Sequence, residues 1–471
     1  MMNRRDFVRN SATLAAGALI TNGLQASPYI PFAKKTYALV GTGSRGTGFW
    51  ANSVMRNFGD KVKYIALCDL NKGRVEYAKK RLNLDCPTFT SVDEMLKDVK
   101  PDVVIVTTRD SEHDNVIVAA LEAGCDVITE KPMTTDEVKC KRILDAEKRS
   151  GKKVLVAFNY RHSPHMTKIK ELLAAKKVGD ITSVDFHWYL NTYHGADYFR
   201  RWHAYVRYGG SLWVHKATHH FDLLNWWLDS EPVEVSAYGK LENYGRNGKQ
   251  RGKSCRECAH KTTCPYFYDI TKNKEYMAMY VANEQYDGYI RDACVFRDDI
   301  DIWDKMSAQI IYANGVTVNY SLTTYSPYEG WRIAFNGMNG RLDSWQDIPY
   351  QLGTLDKVDQ AGRHALEMME TAEKPDGYEE VIVSHSFKPG FESVKIPKYP
   401  SGHGGGDRRM HDFIFGEPGK PDPYRHMAGT RDGAMSVLIG IAARKSIAEK
   451  RPVKISELTD LVPQAIRTAV K

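Results

Sequence analysis

Three side chains capable of proton chemistry stand close together in the stretch Gly209-Gly210-Ser211-Leu212-Trp213-Val214-His215-Lys216-Ala217-Thr218-His219-His220-Phe221-Asp222. His215 and His219 are four residues apart and Asp222 follows three later, which places all three on one face of a helix. Leu223, Leu224, Trp226 and Trp227 give that helix an apolar side to seat against a core. An imidazole, with an ordinary pKa of about 6.5, suits acid–base work near neutral pH. The same spacing also reads as a metal-holding histidine pair, or as satisfied polar groups at a domain seam. Two adjacent imidazoles are expected to depress each other's protonation.

A second constellation is made of thiols. Cys255-x-x-Cys258, Cys264 and Cys294 gather half of the eight cysteines into 40 residues, within a polar insertion at about 245–300. Four thiolates would hold a tetrahedral structural Zn²⁺ and stabilise a segment with little core of its own, and this is the preferred reading. Two disulfides compete in an oxidising compartment, and an iron–sulfur centre fits the spacing less well. The other four, Cys68, Cys86, Cys125 and Cys140, read as core or surface residues.

The elements that must position these groups begin with a strand at 35–40 running into Gly41-Thr42-Gly43-Ser44-Arg45-Gly46 and a helix over 48–58. The first glycine permits a tight turn, the second lets the backbone approach a pyrophosphate, and the third lets helix and strand pack closely. A second strand ends in Asp69, 23 residues after Gly46, where a carboxylate accepts from ribose hydroxyls and repels a 2′-phosphate. NAD is thereby favoured over NADP. Strands at 103–107, 126–129 and 153–158 alternate with helices at 75–82, 115–123 and 136–149. That alternation predicts an α/β fold with a doubly wound parallel sheet over residues 34–158.

From 159 to 471 the pattern changes. A helix at 164–175 precedes strands at 181–189, 233–238, 307–312, 316–321, 331–336 and 380–387, with Asn314-Gly315 and Asn339-Gly340 as hairpin turns. The expectation is an α+β domain with a large, mostly antiparallel sheet, closed by an amphipathic helix over 433–448.

Glu130-Lys131-Pro132, the glycine fingerprint, the strand ending in Thr107, His113 and the Gly209–Asp222 stretch together resemble the glucose-fructose oxidoreductase, inositol dehydrogenase and rhizopine-catabolism (Gfo/Idh/MocA) family. The resemblance implies that Gly41, Gly43, Ser44, Arg45, Gly46, Asp69, Thr107, His113, Glu130 and Lys131 serve the cofactor. It further implies that Lys131 lies beside nicotinamide and substrate hydroxyl, where an ammonium stabilises a developing alkoxide. His219 becomes the acid–base residue, with His215 and Asp222 beside it. His215 stands where the family usually has Asp, and Ser211 where it has Gly. The substrate implied is a sugar or glycoside. Tyr160, Arg161, Arg201, Trp202, His203 and His403 are its candidate contacts, since aromatic faces stack on sugar C–H surfaces while Arg and His bond hydroxyls. The free face of the second sheet implies a homo-oligomer.

Residues 1–26 carry Arg4-Arg5, a short apolar stretch and a small-residue end, the features of a twin-arginine export signal and a periplasmic destination. An exported NAD enzyme must hold its cofactor tightly and regenerate it within one cycle. It does so either by oxidising one sugar and reducing another, or by a redox-neutral glycoside hydrolysis through oxidation, elimination, hydration and re-reduction. No apolar run is long enough for a membrane span. The formal charge of +8 is spread along the chain, without the concentrated basic stripe that nucleic acid requires.

Overall fold

The computed structural model describes residues 35–348, 377–399, 402–417 and 421–465; the leader expected at 1–26 lies outside them. Strands β1 (Lys35–Val40), β2 (Val62–Cys68), β3 (Thr88–Phe89), β4 (Val103–Val106), β5 (Asp126–Thr129) and β6 (Val154–Val156) form one sheet in the order β3-β2-β1-β4-β5-β6. Every pair is parallel. All four side chains of β4, Val-Val-Ile-Val, are buried, as helices on both faces of a parallel sheet require. Helix Lys72–Leu82 starts on an Asn71 side-chain cap, and helix Glu137–Ser150 starts on Asp136 and stops at Gly151 in the left-handed region. The helix predicted over 48–58 begins earlier and is wound more loosely, as a π-helix over Arg45–Ser53 that continues as α-helix Val54–Phe58. The strand order reverses between β1 and β4, which puts the switch point at their carboxyl ends, where Gly41 and Thr107 follow the two strands.

The second sheet has nine strands: β7 (Ile181–Asn191), β8 (Pro232–Lys240), β9 (Lys305–Tyr312), β10 (Thr317–Ser326), β11 (Gly330–Gly337), β12 (Gly340–Gln346), β13 (Tyr378–His385), β14 (Phe391–Pro397) and β15 (Val453–Lys454). Their order is β14-β13-β12-β11-β7-β10-β9-β8-β15, antiparallel except where β7 meets β10. Met306, Ala308, Ile310 and Tyr312 of β9 point inward while Lys305, Ser307, Gln309 and Ile311 point out, so one face is covered and the other open. On the covered face His220 stacks on Trp188 at 4.0 Å and Trp227 meets Phe335 edge-on at 5.6 Å.

Helices from the second half tie the two sheets together. Helix Thr430–Glu449, expected to be amphipathic, is buried without a break from Gly433 to Ala443. It is a central helix packed against β8, Ala217–Leu228 and Glu137–Ser150, so no side of it is left for water. Helix Gly406–Phe415 crosses back to the outer face of the first sheet, where Met410, Ile414 and Phe415 join a core containing Tyr37, Leu39, Trp50 and Ile105. The boundary drawn at 158/159 therefore separates the sheets but not all of the packing.

Candidate functional site

Gly41, at φ +95°, turns the chain out of β1, and a Cβ there would lie 2.5 Å from the Thr107 backbone. Gly46 closes the loop: a Cβ on it would come within 2.1 Å of the Gly41 carbonyl and 2.6 Å of Thr107 Oγ1. Thr107 thus pins both glycines. Among the described residues, a Cβ on Gly43 would meet only the Tyr280 hydroxyl, at 3.3 Å. Asp69 does not stand free at the end of β2. Its carboxylate accepts from Thr42 N at 2.7 Å and Asn71 N at 2.9 Å, and pairs with Arg74 at 3.1 Å. The acceptors expected to meet ribose hydroxyls are engaged in shaping the loop.

Arg45 points away from the glycine turn. Its guanidinium donates to Glu130 Oε1 at 2.6 Å and Asp407 Oδ1 at 3.2 Å and lies over the Phe49 ring at 3.5 Å. Glu130 also accepts from Trp50 Nε1 at 2.8 Å. Burial alone would raise its pKa, but Arg45 and Lys131 outweigh burial and hold the carboxyl below its ordinary range. His113 is 1% exposed and donates through Nδ1 to the Pro132 carbonyl at 2.8 Å, fixing the turn that presents Lys131. Lys131 Nζ reaches the His215 carbonyl at 3.3 Å. Burial pushes the Lys131 pKa down to about 8, against the opposing pull of Asp110 and Glu130.

The stretch carrying His215 and His219 is not one helix. Gly210 and Ser211 take φ +65° and +70°, a short turn Leu212–His215 follows, and the chain restarts at Lys216 as helix Ala217–Leu228. The break sends the two imidazoles to different neighbours. His215 Nδ1 donates to Asp110 Oδ2 at 2.6 Å, and its ring meets His203 at 4.1 Å and Trp202 at 5.6 Å. His219 sits among Phe158, Tyr160 (4.8 Å) and His403 (5.6 Å). The mutual depression expected of His215 and His219 is replaced by two other pairs, His215 with His203 and His219 with His403. Burial pushes His203, His215 and His219 well below the ordinary imidazole pKa, with Lys131 also opposing their protonation. Burial likewise raises the Asp110 carboxyl.

His403 reaches the site from the glycine-rich loop. Its Nδ1 lies 2.9 Å from Asp407 Oδ2, and Asn159 Nδ2 donates to the other oxygen of Asp407 at 2.6 Å. Tyr160 bridges this group to Trp188, edge-on at 5.5 Å. Trp202 stacks on His203 at 3.6 Å, and Arg201 pairs with Asp197 at 2.7 Å. The candidate site residues therefore fall into two groups, Tyr160 and His403 around His219 and Trp202 and His203 around His215, with the Lys131 charge acting on the histidines of both. Two others join neither group. Arg161, 1% exposed, holds Asp222 through both oxygens, at 2.7 and 2.5 Å, and also binds Asp432 at 3.0 Å. Arg161 as a substrate contact and Asp222 as a partner in the chemistry are replaced by a buried ion pair that fastens the helix. Sequence reasoning missed Asp110 and Lys216; Asp110 had a signal, a carboxylate just beyond β4 where ligands of such sheets bind.

A family model described as an oxidoreductase family with an NAD-binding Rossmann fold matches residues 35–158. Its companion, the C-terminal α/β domain of the same family, matches residues 170–455. The chain belongs to the Gfo/Idh/MocA oxidoreductase family. Among Gfo/Idh/MocA relatives, a Bacillus subtilis (strain 168) protein named as the oxidoreductase YteT is 36% identical over 447 residues, 90% of this chain and 98% of that one. Inositol 2-dehydrogenase of Salmonella typhimurium (strain LT2) is 25% identical over 179 residues, 38% of this chain and 50% of its own length. Levoglucosan dehydrogenase, solved with NADH and levoglucosan, shares the fold with a TM-score of 0.60 at 19% identity, over 89% of this chain and 99% of that one.

The residues present fit the NAD that a Gfo/Idh/MocA first domain binds. Gly43 leaves the middle of the glycine loop without a side chain, and among the described residues the buried His203 Nδ1 and His219 Nδ1 have no hydrogen-bond partner. The zinc expected at Cys255, Cys258, Cys264 and Cys294 is not supported. These thiols and His260 line a cavity of about 20 Å³. Among the described residues, however, no group of three or more His, Cys, Asp or Glu side chains is arranged to hold a metal ion, and all eight cysteines are free. Backbone pairing of Cys255 N with Asp292 O (2.8 Å) and Cys294 N with Lys253 O (3.1 Å) holds the segment instead. No helix among the described residues is long and apolar enough to cross a membrane.

Proposed function

We propose that this protein is an exported oxidoreductase that moves hydride between tightly held NAD and a hydroxyl-bearing carbon of a sugar or glycoside. The observation that carries this reading is the contact of Lys131 Nζ with the His215 carbonyl at 3.3 Å, which sets its ammonium between His215, beside Trp202 and His203, and the following helix that carries His219, beside Tyr160 and His403. NAD⁺, held by the Gly41–Gly46 backbone, supplies the hydride acceptor. The Lys131 ammonium stabilises the alkoxide as hydride leaves carbon. His219, kept neutral by burial, takes the hydroxyl proton. Aromatic walls and imidazole nitrogens suit the alternating C–H and O–H surface of a saccharide. The leader at 1–26 supports export and a captive cofactor, and the open face of the nine-stranded sheet supports self-association.

A second reading, redox-neutral glycoside hydrolysis, is favoured by one feature. Two carboxylate–imidazole pairs, Asp110–His215 and Asp407–His403, stand near Lys131 and His219, more proton-handling groups than hydride transfer alone demands. Protein purified without added nucleotide tests both. Mass spectrometry after denaturation is expected to find NAD, and sugars are expected to change the absorbance of the bound nicotinamide. A keto-sugar product supports the oxidoreductase; aglycone release from nitrophenyl glycosides without net NADH supports the hydrolase. A protein that contains no NAD and takes up none overturns both.

A further inference from the structure

The insertion between β8 and β9 folds back onto the nucleotide fingerprint. Helix Lys274–Met279 packs on helix Lys72–Leu82, and the short turns Val281–Asn283 and Glu284–Asp287 continue over it. We propose that residues 274–289 form a clamp that retains the dinucleotide, latched on the glycine turn by Tyr280 and on Arg74, the partner of Asp69, by Asp287. This rests on the reading that the chain binds NAD. Ser44 N–H, one of the donors that such a turn offers to phosphate, donates to Tyr280 Oη at 2.8 Å, and the Tyr280 hydroxyl donates to Ser44 Oγ at 3.2 Å. That hydroxyl carries one proton, which in the loaded protein passes from Ser44 Oγ to a phosphate oxygen.

The other end of the clamp is fastened independently. Asn71 Nδ2 donates to the Asn283 carbonyl at 2.9 Å, and a Cβ on Gly73 would lie 1.9 Å from Asn283 Oδ1, so the bare residue 73 lets the Asn283 side chain close in. Arg74 binds Asp287 at 2.7 Å and Asp69 at 3.1 Å. The two landmarks of the fingerprint are thus both tied to one segment, the glycine turn directly and the acid through Arg74. Its stem is rigid: Arg256 pairs with Glu284 at 2.6 Å and Asp292 at 3.0 Å. Arg291, lying over the Tyr276 ring at 5.0 Å, joins the same segment to Asp197 at 2.8 Å, beside Arg201 on the substrate side. A nucleotide held by the fingerprint leaves only when these contacts open, which makes the insertion the device that turns a dissociable cofactor into a resident one.

NADH is the probe. Full-length wild type, Asp287→Ala and Tyr280→Phe are loaded with NADH and mixed with excess NAD⁺, and release is followed by loss of bound-nicotinamide fluorescence. The clamp predicts release at least tenfold faster from Asp287→Ala and severalfold faster from Tyr280→Phe, with the melting temperature of the nucleotide-free proteins unchanged. Should Asp287→Ala fail to fold, Tyr280→Phe, which keeps the ring and removes one oxygen, decides. Release at the wild-type rate from the folded variants overturns the clamp while leaving the NAD reading intact. A wild type that binds no NADH overturns the NAD reading and the clamp with it.

Discussion

Lys131 and His219 respond to pH in opposite ways. The ammonium must keep its proton to stabilise an alkoxide, and the imidazole must lack one to accept the hydroxyl's. Burial lowers both pKa values, Lys131 to about 8 and His219 well below the imidazole range. The rate of sugar oxidation is therefore expected to fall as pH rises through about 8, where Lys131 loses its charge, and to fall on the acid side only below the ordinary imidazole range, where His219 gains one. Lys131→Met should lower kcat roughly 10²- to 10³-fold and abolish the alkaline limb. An alkaline limb that survives in this variant reassigns it to another group. His219→Ala should cost about 10²- to 10⁴-fold in kcat with NAD still bound, measured by single-turnover absorbance. At this scale the sequence named Lys131 and His219 but not the company they keep. Replacement of the usual Asp by His215 gave no hint that Asp110, 105 residues earlier, supplies a carboxylate to that imidazole.

Elements decide whether these side chains stay in place. Ser211 sits at φ +70° and ψ 175°, a region that costs a residue with a Cβ about 1–3 kcal/mol. Its side chain recovers part of that cost by accepting from Trp213 N at 3.3 Å. Ser211→Gly is expected to stabilise the fold by about 1 kcal/mol in denaturant unfolding, and a loss of stability would show that this cap outweighs the strain. Arg161→Ala leaves Asp222 and Asp432 facing each other's charge in the core and should destabilise by about 3–5 kcal/mol, with NAD content of the surviving folded protein little changed. Strand and helix positions were legible because periodicity and glycine punctuation act over a few residues. The kink at Lys216 and the burial all round Gly433–Ala443 were not, because both come from packing against remote elements, as when Gly440 admits the Trp213 carbonyl to within 2.3 Å of where a Cβ would stand.

For the whole molecule, one apolar core runs between the two sheets and a second covers the outer face of the first, and the segment proposed to clamp the nucleotide is an insertion of the second half. The open face of the nine-stranded sheet holds a hollow of about 780 Å³ lined by Asp185, His187, Arg332, Arg341, Glu380 and Phe391 among others. If that face joins copies of the chain, light scattering at micromolar concentration should give a mass of at least two chains, and Arg332→Glu should shift it toward one. A monomeric wild type removes the proposal.

The parallel sheet and the nucleotide fingerprint were written in the sequence, because each depends on residues within about one strand–turn–helix unit of one another, while the two groups proposed for the chemistry were named through the resemblance of short motifs to a family. Tertiary structure alone decided which partner each side chain receives. It gave Asp222 to Arg161 across 61 residues, Asp110 to His215 across 105, and Ser44 to Tyr280 across 236. Such pairings carry no local signature, since they follow from where distant elements come to rest once apolar surface has been buried.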